Sequence, residues 1–283
     1  MTSNTRQQDL AVTDTARLAT SAYADDQHLA ARQSIYLWQK PRYDLPGIIV
    51  EHLAKTNGTI LDVGCGNGKF ITRIRQDRPD IKVIGLDISI GIITSVSHPV
   101  AVADAQALPV ADASVDAVLA MHMLYHVPDI PAAIKEAARV LRPGGLVIAS
   151  TNSENDKHEL DQLWSAAAAE VLGTLEGPSR ISLSSRFSLE KAPELFRNEL
   201  VNIRVLKLPG VIELTDVAPA VAHFASYEAW ADQLGTPFAT TLQRASELAA
   251  AEITEHGSLR ITCLGGIIIA QKANTDMGLN VTD

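Results

Sequence analysis

The chain has 283 residues, of which 46% are hydrophobic and 20% charged, so a largely disordered protein is excluded. Its formal net charge of −9 makes it a poor candidate for nonspecific binding to nucleic acid, which depends on Lys and Arg. The only cysteines are Cys65 and Cys263, which excludes a disulfide framework and a cysteine-rich zinc site and favours a reducing compartment. The polar start and the lack of a long apolar run predict a cytoplasmic protein without a membrane partner.

The N-terminal part of the chain shows no strand pattern. Residues up to about Thr13 are polar, and we expect them to be disordered. From Asp14 to Gln39 apolar residues recur at helical spacing, and Pro41 and Pro46 interrupt the pattern. Residues 1–43 are therefore predicted to be a disordered start followed by a helical lid.

Residues 44–155 alternate short apolar runs with amphipathic helical segments. Five runs have the length of a strand: Thr59–Val63, Lys82–Leu86, Val100–Ala103, Val115–Met121 and Leu146–Ala149. Buried strands that alternate with helices are typical of a parallel sheet covered on both faces. We predict that this part is the ligand-binding core.

After Ser150 the alternation ends. We predict a helical insertion or cap over residues 156–200, and the last two strands of the core with a helical segment between them over 201–272. Residues 273–283 are expected to be a flexible tail. The whole pattern predicts an α/β protein with a Rossmann-like, seven-stranded, mostly parallel sheet and helices on both faces.

The strongest local signal is Leu61–Gly68, which reads LDVGCGNG and lies between a predicted strand and a predicted helix. Glycines there let the chain turn sharply and let a ligand approach the backbone at the start of a helix. The spacing differs from the dinucleotide fingerprint, and no Gly-Lys-Ser/Thr of a P-loop follows. Asp62 precedes the glycines, and its carboxylate favours a ligand with an ammonium group over a pyrophosphate.

Carboxylates also follow the next two predicted strands. Asp87 ends the second strand, where it suits a ribose diol. Asp104 and Ala105 follow the third strand, where a carboxylate and a backbone N–H can bind the edge of an adenine. Any one of these residues alone is equally well explained as a turn residue, but the ordered set favours a nucleoside ligand.

This set of motifs resembles the class I S-adenosylmethionine-dependent methyltransferases over about Ile48 to Ser150. The resemblance rests on the glycine loop and four further motifs, which are GLD at 85–87, DA-x-x-LP at 104–109, SVDAV at 114–118 and RVLRPGG at 139–145. It implies S-adenosylmethionine as cofactor and S-adenosylhomocysteine as product. It also implies a set of cofactor-binding residues: Asp62 at the ammonium, Gly64 and Gly66 along the methionine moiety, Asp87 on the ribose, Asp104 and Ala105 on the adenine, the backbone of Met121 on its amino group, and Ile88.

The loop after the fourth predicted strand, residues 121–129, lies where ligands of open α/β sheets bind. His126 on this loop is the candidate general base, because imidazole titrates near neutral pH. The alternative is a structural histidine. His122 lies four residues earlier, but no Glu accompanies the pair and no third ligand is evident, so we expect no metal.

Tyr23 and Tyr36 are candidate catalytic residues of the N-terminal segment. In related small-molecule methyltransferases a leading helical segment folds over the cofactor as a lid, and the two tyrosines can close the site and exclude water. The alternative is that they only anchor the segment to the core.

We therefore expect a methyltransferase that acts on a small molecule and not on nucleic acid. The pattern Tyr23, Arg32, Tyr36 and Arg42–Asp44 resembles bacterial secondary-metabolite methyltransferases, including those that C-methylate indole alkaloids and tryptophan-derived cyclic dipeptides. The alternatives are a protein of the same fold that binds the cofactor but catalyses a rearrangement or cyclisation, and a regulatory binding module. The sequence leaves the acceptor, the methylated element and the oligomeric state open.

Overall fold

The computed structural model describes residues 10–274. Its strands form one eight-stranded sheet in the order β1-β7-β8-β6-β5-β2-β3-β4. In chain order the strands are β1 (Gln39–Lys40), β2 (Thr59–Val63), β3 (Lys82–Asp87), β4 (Val100–Val102), β5 (Val115–Met121), β6 (Leu141–Asn152), β7 (Val201–Leu214) and β8 (Leu259–Gln271).

Helices cover both faces of the sheet. In chain order they are α1 (Thr15–Arg17), α2 (Gln27–Ser34), α3 (Leu45–His52), α4 (Lys69–Asp77), α5 (Ile90–Ile93), α6 (Ile130–Val140), α7 (His158–Leu172), α8 (Ala192–Arg197), α9 (Ala218–Ala225) and α10 (Phe238–His256). Shorter π- or 3₁₀-helical turns lie at Leu18–Ala22, Ile35–Trp38, Leu124–His126, Leu183–Arg186 and Glu228–Gln233.

The strands β2 to β6 pair in parallel, and β8 pairs antiparallel with both β6 and β7. The expected Rossmann-like, mostly parallel sheet is thus confirmed. An eighth strand was not anticipated: β1 adds two residues antiparallel to β7 at the edge of the sheet. Two residues are too short to show the alternation by which a strand is recognised in a sequence.

Apolar faces of the helices hold the sheet from two sides. The helix α6 buries Ala133, Ile134 and Ala137 on one face, and α4 buries Ile71 and Ile74 on the other. A third cluster packs against β7 and β8 and joins the N-terminal segment to α7, α9 and α10. The carboxyl ends of β2, β3 and β5 therefore lie beneath the N-terminal segment and the helices that pack against it.

Residues 10–13 differ from the disorder expected of them. Val12 is buried, and the backbone carbonyl of Ala11 accepts a hydrogen bond from Trp230 Nε1 at 3.2 Å. The sequence up to Thr13 is polar overall, but the backbone carbonyls of Ala11 and Val12 accept hydrogen bonds from partners more than 100 positions away in the chain, which no local pattern shows. Residues 1–9 of the predicted disordered start and residues 275–283 of the predicted tail lie outside the described residues.

The N-terminal segment, residues 14–39, lies across the carboxyl ends of the parallel strands. Ser89, which follows β3, donates a hydrogen bond from Oγ to the carbonyl of Tyr23 at 2.8 Å. Leu29 covers the glycine loop, because a Cβ on Gly66 would lie 3.2 Å from its Cδ2. A Cβ on Gly91 would lie 2.1 Å from the carbonyl oxygen of Ala24. The segment is therefore seated directly on the glycine loop and on the start of α5.

We expect Gly91→Ala to displace this segment without unfolding the sheet, since the added methyl overlaps a backbone atom that cannot turn away. Hydrogen exchange of residues 15–38 should become faster, whereas β2 and β5 remain protected. Ile90→Ala at the neighbouring, exposed position is the control and should leave exchange unchanged. Unaltered exchange of residues 15–38 in Gly91→Ala would contradict this seating.

Candidate active site

A cavity of about 240 Å³ lies between the strand ends and the N-terminal segment. It is lined by all but one of the predicted cofactor-binding residues, namely Gly64, Gly66, Asp87, Ile88, Asp104, Ala105 and Met121. The remaining one, Asp62, is buried in β2 behind this lining. The three candidate catalytic residues, Tyr23, Tyr36 and His126, also line the cavity.

The glycine loop requires its glycines. Gly64, Gly66 and Gly68 have φ angles of 68°, 54° and 72°, in the left-handed region that other residues adopt at a cost. The N–H of Gly66 donates to Asp87 Oδ2 at 2.9 Å, and the N–H of Ser89 donates to Asp87 Oδ1 at 2.9 Å. One carboxylate therefore fixes the loop after β2 to the end of β3.

Asp62 is a buried carboxyl group without compensation. It is fully buried, and neither side-chain oxygen has a hydrogen-bond partner within residues 10–274. Burial, together with the charge of Asp87, raises the pKa of Asp62 to about 8. An unpaired buried carboxylate is unfavourable, so Asp62 favours a cationic partner, although it does not itself line the cavity.

Asp104 is held in a local turn. Its Oδ1 accepts the backbone N–H of Gln106 at 2.8 Å, and the side-chain amide of Gln106 lies 3.2 Å from both carboxylate oxygens. Ala105 is buried beside it. The turn presents the carboxylate on the cavity wall, and its contact with an adenine stays a prediction.

His126 makes hydrogen bonds through both ring nitrogens. Its Nδ1 lies 2.9 Å from the carbonyl oxygen of Val12, and its Nε2 lies 2.7 Å from the hydroxyl of Tyr23. A carbonyl can only accept, so Nδ1 carries the hydrogen and Nε2 accepts from Tyr23. Burial lowers the pKa of His126 to about 3, which keeps the imidazole neutral at physiological pH.

Tyr36 belongs to a different network. Lys157 Nζ donates to the Tyr36 hydroxyl at 2.7 Å and pairs with Asp156. Burial lowers the pKa of Lys157, but the Asp156 carboxylate outweighs this and the net pKa is raised. Burial raises the pKa of Tyr36 to about 12. The structure thus brings Tyr23 and His126 together and gives Tyr36 a buried ammonium partner instead.

Sequence reasoning missed several polar residues of the cavity wall, which are Asp156, Lys157, Asp161, Arg180 and His223. They come from the chain after β6 and from α7 and α9, where no motif marks them. The structure alone shows one feature that often accompanies functional residues. Lys157 has a φ of 57°, a left-handed backbone conformation that is uncommon for lysine.

The described residues contain neither a metal-binding cluster nor a membrane-spanning helix. Within residues 10–274, no group of three or more His, Cys, Asp or Glu side chains is placed to hold a metal ion. In that same range, no helix is both long and apolar enough to cross a bilayer.

The raised pKa of Asp62 predicts a pH-dependent cost to stability. The folded state holds a proton that the unfolded state loses above about pH 4, so stability falls as pH rises from there to about 8. Asp62→Asn removes this cost. We expect its free energy of unfolding to be close to wild type at pH 5 and higher by at least about 1 kcal/mol at pH 8, as measured by urea denaturation.

Glu51→Gln, which neutralises an exposed carboxylate of α3, is the control and should show no such divergence with pH. A wild-type stability that stays level with Asp62→Asn from pH 5 to pH 8 would contradict the unpaired state of Asp62.

Comparisons with known proteins address the same part of the chain. Residues 61–149 match the family described as a methyltransferase domain. A malonyl-[acyl-carrier protein] O-methyltransferase of Hahella chejuensis is 39% identical over 112 residues, which are 37% of this chain and 40% of that protein. The 27-O-demethylrifamycin SV methyltransferase of Amycolatopsis mediterranei is 39% identical over 97 residues, 30% of this chain and 35% of that protein.

The chain thus spans less than half the length of these two relatives. Among solved structures, the YcgJ protein of Bacillus subtilis superposes with a TM-score of 0.53 at 20% identity, covering 81% of this chain and 98% of that one, which shows a shared fold. The family match covers the glycine loop and the ends of β2, β3 and β5, which are the elements that line the cavity. Residues 61–149 are therefore similar to a methyltransferase domain, and the fold is shared with a solved structure of that architecture.

Proposed function

We propose that this protein transfers a methyl group from S-adenosylmethionine to a small-molecule acceptor of secondary metabolism. The observation that carries the proposal is the lining of the cavity. One half is built from the cofactor motifs, and the other half is lined by tyrosines and buried cations of the N-terminal segment and the helical insertion. A concave pocket with such a lining suits a small acceptor better than a nucleic acid.

The residues of the first half fit the cofactor. Asp62 is a buried carboxyl with no partner among the described residues, as expected of a group that faces an ammonium. The bare backbone of Gly64 and Gly66 lines the cavity, and the Asp87 carboxylate stands at its wall with further lone pairs available. When bound, S-adenosylmethionine supplies a methyl group already activated by its sulfonium. The chain's part is to orient the acceptor, exclude water and move a proton.

The second half of the cavity favours an aromatic acceptor. Tyr23, Tyr36 and Tyr227 line it, and aromatic rings of this size pack well against an indole. This supports an indole or a tryptophan-derived cyclic dipeptide as the acceptor class. The names of the two relatives describe other acceptors, a carrier-protein-linked malonyl group and a rifamycin, and do not name an indole.

The pair Tyr23 and His126 provides a proton route. The acceptor's proton passes to the Tyr23 oxygen while the Tyr23 hydroxyl proton moves to Nε2 of His126, and Nδ1 keeps its hydrogen bond to Val12. Nε2 is engaged by Tyr23, so His126 acts as base through the tyrosine hydroxyl. The competing route needs only proximity, with the proton lost later to water.

The proposal is tested by turnover. Purified protein is incubated with S-adenosylmethionine and a tryptophan-derived cyclic dipeptide, and both S-adenosylhomocysteine and methylated product are quantified. Equal amounts of the two support methyl transfer. A converted acceptor without formation of S-adenosylhomocysteine would instead indicate a rearrangement or cyclisation on the same fold.

Asp87→Ala should weaken binding of S-adenosylhomocysteine by about 2–3 kcal/mol, the scale of hydrogen bonds to a charged group. The loss includes the loop anchor at Gly66 as well as the ribose contact. Calorimetry measures it, and Asp112→Ala, at an exposed carboxylate distant from the cavity lining, is the control. Unchanged affinity in folded Asp87→Ala would refute the assignment.

Tyr23→Phe and His126→Asn each test the proton route. Both should lower kcat by about 10²–10⁴-fold and leave affinity for S-adenosylhomocysteine unchanged, because a general base acts on the reacting proton and not on the cofactor. Losses below about tenfold in both variants would favour proximity alone. Neither substitution adds a charge, so the kcat of each variant can be compared with that of the wild type at the same pH.

A further inference from the structure

The side of the cavity beneath the helical insertion holds a compact group of polar side chains around Tyr227. The guanidinium of Arg180 lies 4.8 Å from the centre of the Tyr227 ring, and that of Arg32 lies 5.9 Å from it. The ring of His223 lies 5.6 Å from the same ring. All of these residues line the cavity. None belongs to the cofactor motifs, so this group is part of the acceptor side.

His223 presents an unused hydrogen-bond donor. Arg180 Nη1 lies 3.2 Å from His223 Nε2. A guanidinium can only donate, so Nε2 accepts and the ring hydrogen sits on Nδ1. His223 is only 4% exposed, and its Nδ1 has no partner in the described part of the chain. A buried N–H without an acceptor is costly, which indicates that a ligand atom completes it.

Arg32 presents a second unused donor and an uncompensated charge. Its Nη1 donates to the carbonyl of Ser226 at 2.8 Å, but its Nη2 is buried without a partner within residues 10–274. The side chain is 8% exposed. Its ring contacts, 5.0 Å to Tyr23 and 5.7 Å to Trp230, stabilise the cation.

Unlike Arg32, the neighbouring cations are paired with carboxylates. Arg180 pairs with Asp161 at 2.9 Å, and Lys157 pairs with Asp156. Arg32 has no carboxylate within ion-pair distance among the described residues, so the cluster carries one positive charge in excess. A buried cation that keeps its charge needs an anion.

We propose that Arg32 and His223 form a subsite for a carboxylate of the acceptor. The two unused N–H donors, both beside the Tyr227 ring, equal in number the two oxygens of a carboxylate, and the single excess charge matches its single negative charge. The inference rests on the proposed function and narrows its acceptor to an indole that carries an acid group, which is bound rather than methylated. A tryptophan-derived cyclic dipeptide has no free carboxylate and would leave the subsite empty. Tyr23, which contacts the Arg32 guanidinium and bonds His126, joins this subsite to the proton route.

The test uses two probes of nearly equal shape, indole-3-acetate and indole-3-acetamide, titrated into the full-length protein with and without S-adenosylhomocysteine. We expect the acid to bind at least about tenfold more tightly than the amide, as for a charge-assisted hydrogen bond. Arg32→Gln and His223→Phe should each lower affinity for the acid by about tenfold or more and change affinity for the amide by less than about threefold.

Arg17→Gln is the matched control, since it removes a cation of the same segment that is paired with Asp232 at the surface. It should not alter either affinity. Equal binding of acid and amide to wild type, or equal losses for both probes in the variants, would overturn the subsite. Inorganic phosphate that binds more tightly than the acid would overturn the carboxylate assignment.

Binding of S-adenosylhomocysteine is read separately in every variant. If it fails in wild type, the proposed function fails, while the acid–amide comparison without cofactor still decides the subsite. If Arg32→Gln still binds S-adenosylhomocysteine but no longer binds indole-3-acetate, the subsite is separate from the cofactor site. Loss of cofactor binding in both Arg32→Gln and His223→Phe would assign these residues to the fold and overturn the proposal.

Discussion

The buried imidazole of His126 is the point at which three separate parts of the chain meet. It accepts from Tyr23 and donates to the carbonyl of Val12, so it binds the N-terminal segment twice. Its ring stacks on Trp230 at 6.3 Å with the planes 3° apart, and Trp230 in turn donates to Ala11. These contacts anchor residues 11–23 to the loop after β5 and to the helical turn Glu228–Gln233 between β7 and β8.

This anchoring role restricts what His126 can do as a base. A useful base titrates near the working pH, whereas burial and the charge of Arg32 hold the pKa of His126 low. An anion bound at Arg32 would offset that positive charge and make protonation of Nε2 less costly. Acceptor binding and proton transfer would then be coupled, because the group that holds the acceptor also prepares the base. The structural and catalytic interpretations of this histidine are therefore compatible.

The residues proposed to bind the cofactor could be located from the sequence, because each lies at or next to the end of a strand that an apolar run marks. Gly64, Gly66, Asp87 and Met121 all line the cavity as a result. Asp62 was recognised as well, but its position behind the lining could not be, since the direction of a side chain within a buried strand depends on register and packing.

The acceptor half could not be predicted in the same way. Arg32 and His223 are 191 positions apart, and they meet only because α9 packs against α2 and the carbonyl of Ser226 accepts from Arg32. No periodic pattern in the sequence predicts that these two side chains lie close together. The predicted disorder of residues 10–13 failed for a related reason, since Val12 is ordered by a histidine more than 100 residues away.

Backbone geometry separates the two halves further. Two non-glycine residues at the cavity, His122 and Lys157, have φ angles of 53° and 57°, which is uncommon and requires support from the surroundings. His122 donates its N–H to Ser150, and Lys157 donates its own to Thr262, so neighbouring strands hold both in place. The glycine loop adopts its left-handed turns with glycine at little cost. At Lys157 the same conformation is adopted by a residue with a long side chain, whose ammonium donates to Tyr36. The strand β8 thus fixes a buried ammonium on the cavity wall, whereas the glycine loop offers bare backbone.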